Sequence, residues 1–433
     1  MSQQKEYLKR YFGYDEFRDG QETLISAILA GKDVLGIMPT GAGKSLCFQI
    51  PALMISGITI IVSPLISLMT DQVGALTQSG IPAAFFNSAL TEKQMRIALQ
   101  NAINGAYKLI YIAPERLMTS DFLSLVKARE VSMITVDEAH CISQWGHDFR
   151  PSYARIPEFV AKLEKRPILS AFTATATAAV RKDITELLGL QNPMVLTNGF
   201  DRQNLYFDVQ KPKNKFFALE EYLKTKNDFS GIIYCSTRAA VEETCLRLNH
   251  CGYSATRYHA GLTDLERSKN QDEFFHDRVR LMVATNAFGM GIDKPNVSFV
   301  IHYDMPMNLE NYYQEAGRAG RNGNKADCIL LYGQRDVRTN LWLIDKGRSS
   351  ESLDEPALQQ YILRDRARLR EMTSYCTTTD CLRGYILKYF GEKPANFCGN
   401  CGNCGTEFID VSISSAVKKI ASRLGFESRL PRV

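Results

Sequence analysis

Short, unbroken apolar runs separated by longer mixed stretches organise the first part of the chain. Val34–Met38, Thr59–Val62, Leu109–Ile112, Met133–Val136 and Ile168–Phe172 are such runs. Runs without polar alternation predict strands buried on both faces, and helical stretches between them predict a parallel sheet covered on both sides. From Asn198 to Lys215 the pattern loosens into polar, Lys-rich sequence, which predicts a linker. A second series follows at Gly231–Tyr234, Ser254–Tyr258, Leu281–Ala284, Val297–Ile301 and Asp327–Leu331. The expectation is an α/β chain with two parallel-sheet domains in tandem and no short-period repeat. From about Arg335 the character changes. Trp342–Arg370 reads helical and charged with a break at Arg348–Pro356, and Cys376–Cys404 is rich in cysteine. The last 29 residues read helical around Ser415–Leu424 and are too few for a domain of their own.

Length and composition narrow this picture only a little. At 433 residues, two to four domains are expected. No apolar run approaches the ~20 residues of a membrane span. The start, Met1-Ser-Gln-Gln-Lys-Glu6, lacks the apolar core of a signal peptide, so the expected location is the cytosol or nucleus. A net charge of +5 permits a nucleic-acid partner without arguing for one. An odd count of 11 cysteines in a reducing compartment argues against a disulfide framework. Cys47, Cys235 and Cys328 lie in apolar context and read as small core residues.

Candidate chemistry begins at Met38-Pro-Thr-Gly-Ala-Gly-Lys44-Ser45, between an apolar strand and the helical pattern Leu46–Met54. Glycines in such a turn let backbone N–H groups point at an anion, and the helix N-terminus adds its dipole. Lys44 is placed to reach β/γ-phosphates and the Ser45 hydroxyl to ligate Mg²⁺. Asp137-Glu138-Ala139-His140 closes the run Val131–Val136, where open α/β sheets place ligands. Asp137 is suited to hold Mg²⁺ and Glu138 to orient and deprotonate an attacking water.

Three further segments carry chemistry. In Tyr312-Tyr-Gln-Glu-Ala-Gly-Arg318-Ala-Gly-Arg321, two arginines three apart are expected on one helical face between small residues. Arg is the fixed-charge fork suited to phosphate. Gln144-Trp145-Gly-His147-Asp-Phe149-Arg150 interleaves aromatic, hydrogen-bonding and cationic groups within a few residues of Glu138, which suits stacking on bases. Cys381-x16-Cys398-x2-Cys401-x2-Cys404 supplies four thiolates for one structural Zn²⁺, with Cys376 as a rival for Cys381.

Together these segments resemble superfamily 2 helicases and, closely, the RecQ family of DNA helicases. Asp137 through Arg150-Pro151 is similar to the aromatic-rich loop of that family. So are Phe12-Gly-Tyr14 through Arg18-Asp-Gly-Gln21, Ser63–Met69, Tyr111–Arg116, Thr173-Ala-Thr175, Tyr258–Gly261, and Ala284 through Asp293-Lys-Pro. Asp19 stands where the family usually has Pro, and Ala42 where Gly is common. The similarity covers about residues 5–412.

The resemblance implies two tandem RecA-like parallel-sheet domains, 1–203 and 204–335, then a small helical zinc-binding module, 336–408. It implies that 409–433, beginning near Asp410-Val-Ser-Ile-Ser, is a truncated remnant of a winged helix. Cys381-Leu-Arg followed by Leu387-Lys-Tyr-Phe-Gly-Glu matches the RecQ zinc module and favours Cys381 over Cys376. Carried over, Tyr14, Arg18 and Gln21 contact adenine, and Thr40, Gly41, Ala42, Gly43, Lys44 and Ser45 line the phosphates. Asp293 joins the ribose, Gln314 senses the γ-phosphate, and Arg318 and Arg321 act as arginine fingers. Gln144, Trp145, His147, Phe149 and Arg150 couple DNA contact to hydrolysis. The implied activity is ATP- and Mg²⁺-dependent 3′–5′ unwinding of DNA in repair, recombination or replication. The implied partners are single-stranded and partly duplex DNA, a single-stranded-DNA-binding protein and a topoisomerase, with no membrane. The alternative is a DNA-stimulated translocase that remodels or anneals strands and unwinds weakly because the winged helix is missing.

Overall fold

The computed structural model describes residues 2–39, 41–146, 148–226, 229–288, 294–347 and 355–406. Thr40, His147, Asp293 and the segment 409–433 lie outside the described residues.

The first sheet comprises β1 (Val34–Ile37), β2 (Ile58–Val62), β3 (Ala83–Phe86), β4 (Leu109–Ile112), β5 (Val131–Val136), β6 (Ile168–Thr173) and β7 (Met194–Thr197). The second comprises β8 (Leu205–Gln210), β9 (Ser230–Tyr234), β10 (Ala255–Tyr258), β11 (Leu281–Ala284), β12 (Val297–His302) and β13 (Ala326–Leu331). Their orders are β3-β4-β2-β5-β6-β1-β7 and β10-β11-β9-β12-β13-β8. Every pairing is parallel, so each connection crosses over the sheet, mostly through a helix.

In β2, residue by residue, the side chains divide between the two faces. Ile60 and Val62 join one core with Ile134 and Val136, whereas Ile61 joins the opposite core with Met133 and Tyr111. Period-two alternation with both faces apolar requires helices on each side. Each such side chain contributes about 1.5–3 kcal/mol by leaving water. A buried carboxylate pins the start of β1. Asp33 accepts from the Leu169 and Gln191 amides at 2.9 and 2.7 Å and from Arg166 at 2.6 Å. That tie sets the register of β1 beside β6, and β1 leads into the phosphate loop.

The stretch expected as a plain linker contains the edge strand β8. Its Leu205 and Phe207 are buried while Tyr206 and Asp208 are partly exposed, so the half-polar pattern masks a strand paired on one side to β13. Strands β3 and β7 also escaped the sequence. The first reads Ala-Ala-Phe-Phe, and the second is an edge strand with Met194 and Val195 exposed. Beyond β13, helices span Gln334–Gly347, Glu355–Thr377 and Leu382–Tyr389. This last part touches both lobes. Phe390 stacks on Phe200 at 4.4 Å, accepts from Arg181 of the first lobe at 3.1 Å, and Tyr389 donates to Glu310 of the second at 2.6 Å.

Candidate nucleotide and nucleic-acid site

The order β5-β6-β1 puts three C-terminal strand ends side by side. The phosphate loop follows β1, Asp137-Glu138 follows β5, and Thr173-Ala-Thr175 closes β6. Gly41 and Gly43 have φ of +87° and +76°, which lets the loop wrap without a Cβ penalty. Helix Lys44–Met54 begins directly after them, and Lys44 folds back to the Met38 carbonyl at 3.2 Å. Ser45 sits in the first turn of that helix. Gln21 is buried and braces the loop, donating to the Ala42 and Gly43 carbonyls at 3.2 and 3.0 Å while accepting from the Arg18 amide at 2.8 Å. The Arg18 guanidinium hydrogen-bonds the Gly41 carbonyl. Tyr14 is exposed.

Two carboxylates sit next to the loop, and the second is under backbone strain. Glu138 holds a left-handed φ of +47°, a conformation costing about 1–3 kcal/mol for a residue with a side chain. Burial, and then the neighbouring Glu138, hold the Asp137 carboxyl above the ordinary carboxylate range, with Lys44 pulling the other way. His140 lies 3.3 Å from Glu138 and 2.9 Å from the Thr173 hydroxyl, which donates to the Thr175 carbonyl at 3.1 Å. Gln314 of the second lobe donates to the Thr175 hydroxyl at 3.2 Å. The two lobes therefore meet beside Asp137 and Glu138, at Thr175.

The arginines do not lie on a helix face. Helix Leu309–Ala316 ends before them, and residues 317–322 form turns, with Gly320 at φ +58°. Glycine there permits the turn to reverse against Asn204 and the Asn324 carbonyl, where a Cβ would stand only 2.5 and 2.7 Å away. The turn separates the pair. Arg318 is buried against the Tyr234 hydroxyl, whereas Arg321 faces the phosphate loop, its Cγ 3.4 Å from where a Cβ on Gly41 would stand.

The aromatic loop is docked rather than free. Trp145 is half exposed, and Arg364 of the helix Glu355–Thr377 covers its ring at 4.1 Å. Arg368 donates to the Trp145 carbonyl, and Arg364 reaches Gln144 at 3.5 Å. Phe149 stacks on Tyr361 at 5.8 Å. Arg150 pairs with Asp148 at 3.0 Å and donates to the Pro64 carbonyl at 3.0 Å. Sequence reasoning missed Tyr361, Arg364 and Arg368, although their three- and four-residue spacing puts them on one helix face.

Cys381, Cys398, Cys401 and Cys404 converge, their sulfurs all within 4.8 Å of one another, with Cys398 and Cys404 at 3.9 Å and Cys381 and Cys401 at 4.0 Å. A tetrahedral Zn²⁺ with ~2.3 Å bonds needs sulfurs ~3.8 Å apart. The Gly384 and Asn400 amides point at Cys381 and Cys398 sulfurs at 3.3 Å, as thiolates require. Cys376 is buried outside the cluster, and burial pushes its thiol well up. The donor set fits a closed, structural zinc site.

Two parallel-sheet lobes facing each other across a phosphate loop define a helicase core. Residues 18–184 match the DEAD/DEAH box helicase family, 214–323 the helicase conserved C-terminal domain, and 334–405 the RecQ zinc-binding family. The fold is similar to that of Mycobacterium smegmatis helicase Lhr bound to ssDNA and AMP-PNP, with TM-score 0.63 and 18% identity over 87% of this chain and 57% of that one. Bacillus subtilis ATP-dependent DNA helicase RecQ is 45% identical over 90% of this chain and 65% of its own length. The Haemophilus influenzae protein of the same name is 42% identical over 91% and 62%. This chain belongs to the RecQ family. It spans less than two thirds of the length of those two relatives. Among the described residues, no helix is long and apolar enough to cross a membrane.

Proposed function

We propose that this chain is an ATP-dependent DNA helicase that moves 3′–5′ on a single strand, working where DNA is held and processed. The observation that carries the reading is the composite pocket: Arg321 of one lobe backs onto Gly41 of the other, and Gln314 reaches Thr175. Such a pocket is complete only when the lobes close, so hydrolysis tracks closure. In this reading the domains divide at 203, 335 and 408. Lys44 and residues 40–45 cradle the phosphates, with Tyr14, Arg18 and Asp293 at the nucleoside. Gln21 acts there by bracing the loop, since its amide is spent on loop carbonyls. Ser45 and Asp137 would hold Mg²⁺, a cation that stabilises the ionised form of a carboxyl otherwise held high. Glu138 orients the attacking water, and Arg321 stabilises charge on the transferring phosphoryl group, with Arg318 behind it.

DNA engages through Gln144, Trp145, His147, Phe149 and Arg150. The exposed cation–π contact of Arg364 on Trp145 is worth about 0.5–1 kcal/mol. Base stacking on an aromatic is worth ~1–3 kcal/mol. A base therefore displaces Arg364 and takes the ring, which signals strand occupancy to Glu138 a few residues away. The family's partners, a single-stranded-DNA-binding protein and a topoisomerase, remain the expected ones.

The test is ATP hydrolysis with and without single-stranded DNA or RNA, plus unwinding of a 3′-tailed duplex. DNA is expected to stimulate hydrolysis and the duplex to open; no stimulation sinks the reading, and stimulation without opening favours a translocase. Trp145→Ala is expected to reduce the DNA-stimulated rate about tenfold, the equivalent of one lost stack. An unchanged stimulated rate in that variant removes the coupling role.

A further inference from the structure

The segment joining the lobes carries an arginine with an unusual set of partners. Arg202 donates to three backbone carbonyls, those of Gly317 at 3.4 Å, Ala319 at 3.1 Å and Gly320 at 3.0 Å. They belong to the turn that bears Arg318 and Arg321. A helix leaves its last carbonyls without partners, and a cation is favoured there. Asn204 adds bonds to the Gly320 and Asn324 carbonyls at 2.9 and 2.8 Å. On its other side the Arg202 guanidinium lies 3.9 Å from the Cβ position of Gly41. It thus occupies the seam between the arginine turn and the phosphate loop.

The same segment is gripped from behind by the zinc module. Arg383 donates to the Asp201 carboxylate and the Arg202 carbonyl, both at 2.7 Å, and to the Leu205 carbonyl. Glu392 accepts from the Phe200 amide at 2.6 Å. Arg383 follows Cys381 by two residues, so the metal-organised helix start fixes where this guanidinium stands.

We propose that Arg202 is a positioning residue for ATP hydrolysis: it fixes the Arg321 turn against the phosphate loop, and Arg383 makes that grip depend on the zinc module. The inference rests on the helicase reading above. Arg202 does not touch the reacting atoms; it acts through Arg321. Displacing a catalytic group by about 1 Å costs about 100-fold in rate. Lysine keeps the charge but not the planar fork, which reaches Gly317 from one nitrogen and Ala319 and Gly320 from the other; a single ammonium nitrogen cannot occupy both places.

The experiment uses the full chain with saturating DNA, comparing wild type, Arg202→Ala, Arg202→Lys, Arg321→Ala and the Arg202→Ala/Arg321→Ala pair. Arg202→Ala is expected to lower kcat about 10–100-fold with the Kd for a fluorescent ATP analogue within about twofold of wild type. The double variant is expected within about twofold of Arg321→Ala alone, since residues acting as one unit do not add. Hydrogen exchange of the 317–323 amides is expected to speed up in Arg202→Ala. An unchanged kcat, a loss confined to nucleotide binding, or fully multiplicative losses in the double variant would overturn the proposal. Should Arg202→Ala fail to melt cooperatively, Arg202→Lys decides: a kcat equal to wild type overturns the proposal, and a kcat at least about fivefold lower supports it. If wild type itself hydrolyses no ATP, the helicase reading fails separately, and the grip stands or falls on whether exchange in the turn accelerates.

Discussion

Replacing Arg321 by alanine is expected to reduce kcat for ATP hydrolysis by about 10³–10⁵-fold, the range of an arginine finger. The Arg321 stem already packs beside Gly41, so its guanidinium needs only to swing into the pocket as the lobes close. Its partner Arg318 is committed to the Tyr234 hydroxyl inside the second lobe, and the corresponding Arg318→Ala loss should be smaller. Charge that meets the phosphates mainly in the transition state affects kcat more than binding. Steady-state hydrolysis with DNA present, together with an independent nucleotide Kd, distinguishes the two terms. A raised Kd with kcat retained would make Arg321 a ground-state contact instead.

Removal of zinc, by chelation or by Cys401→Ser, is expected to unfold the segment 334–406 while both sheets persist. Structural zinc is worth ~10–16 kcal/mol in small peptides. That equals or exceeds the ~5–15 kcal/mol that holds a whole domain. Cys401 is buried and bridges to Phe207 of β8, and Gly402 donates to the Phe207 carbonyl at 2.8 Å, so the loss also frees an edge strand. Because Arg383 holds the interlobe segment and Arg364 covers Trp145, DNA-stimulated hydrolysis should fall with the module. Limited proteolysis with zinc quantitation reads this directly: cuts should concentrate beyond β13 in the metal-free protein. Protease resistance of that segment without metal would show that the thiols cluster for packing alone.

Part of the site was legible in the chain because its geometry is local. The loop at 38–45 needs glycines at positive φ and a lysine directly after them, and both are written in consecutive residues. Cys398, Cys401 and Cys404 converge because two-residue spacings close tight turns. The arginine segment was legible as chemistry but not as shape. Equal spacing suggested one helix face, whereas the helix stops at Ala316 and the turn that follows sends Arg318 and Arg321 to different neighbours. Strand β8 was hidden because an edge strand is half polar and reads as linker.

By itself the sequence determined the two sheets' central strands, the glycine loop at 38–45, the acidic pair and three of the four clustered cysteines, since each follows from apolar runs or short spacings; Cys381 over Cys376 followed from the family resemblance. Only the tertiary structure decided that Arg202 of the interlobe segment grips the arginine turn while Arg383 holds that segment from the zinc module, that Arg364 rests on Trp145, and that Gln314 meets Thr175. Those partners stand from 115 or so to more than 200 positions apart along the chain. A contact of that span leaves no periodicity or spacing behind; it exists only once the crossovers, the lobe packing and the zinc module have brought the surfaces together.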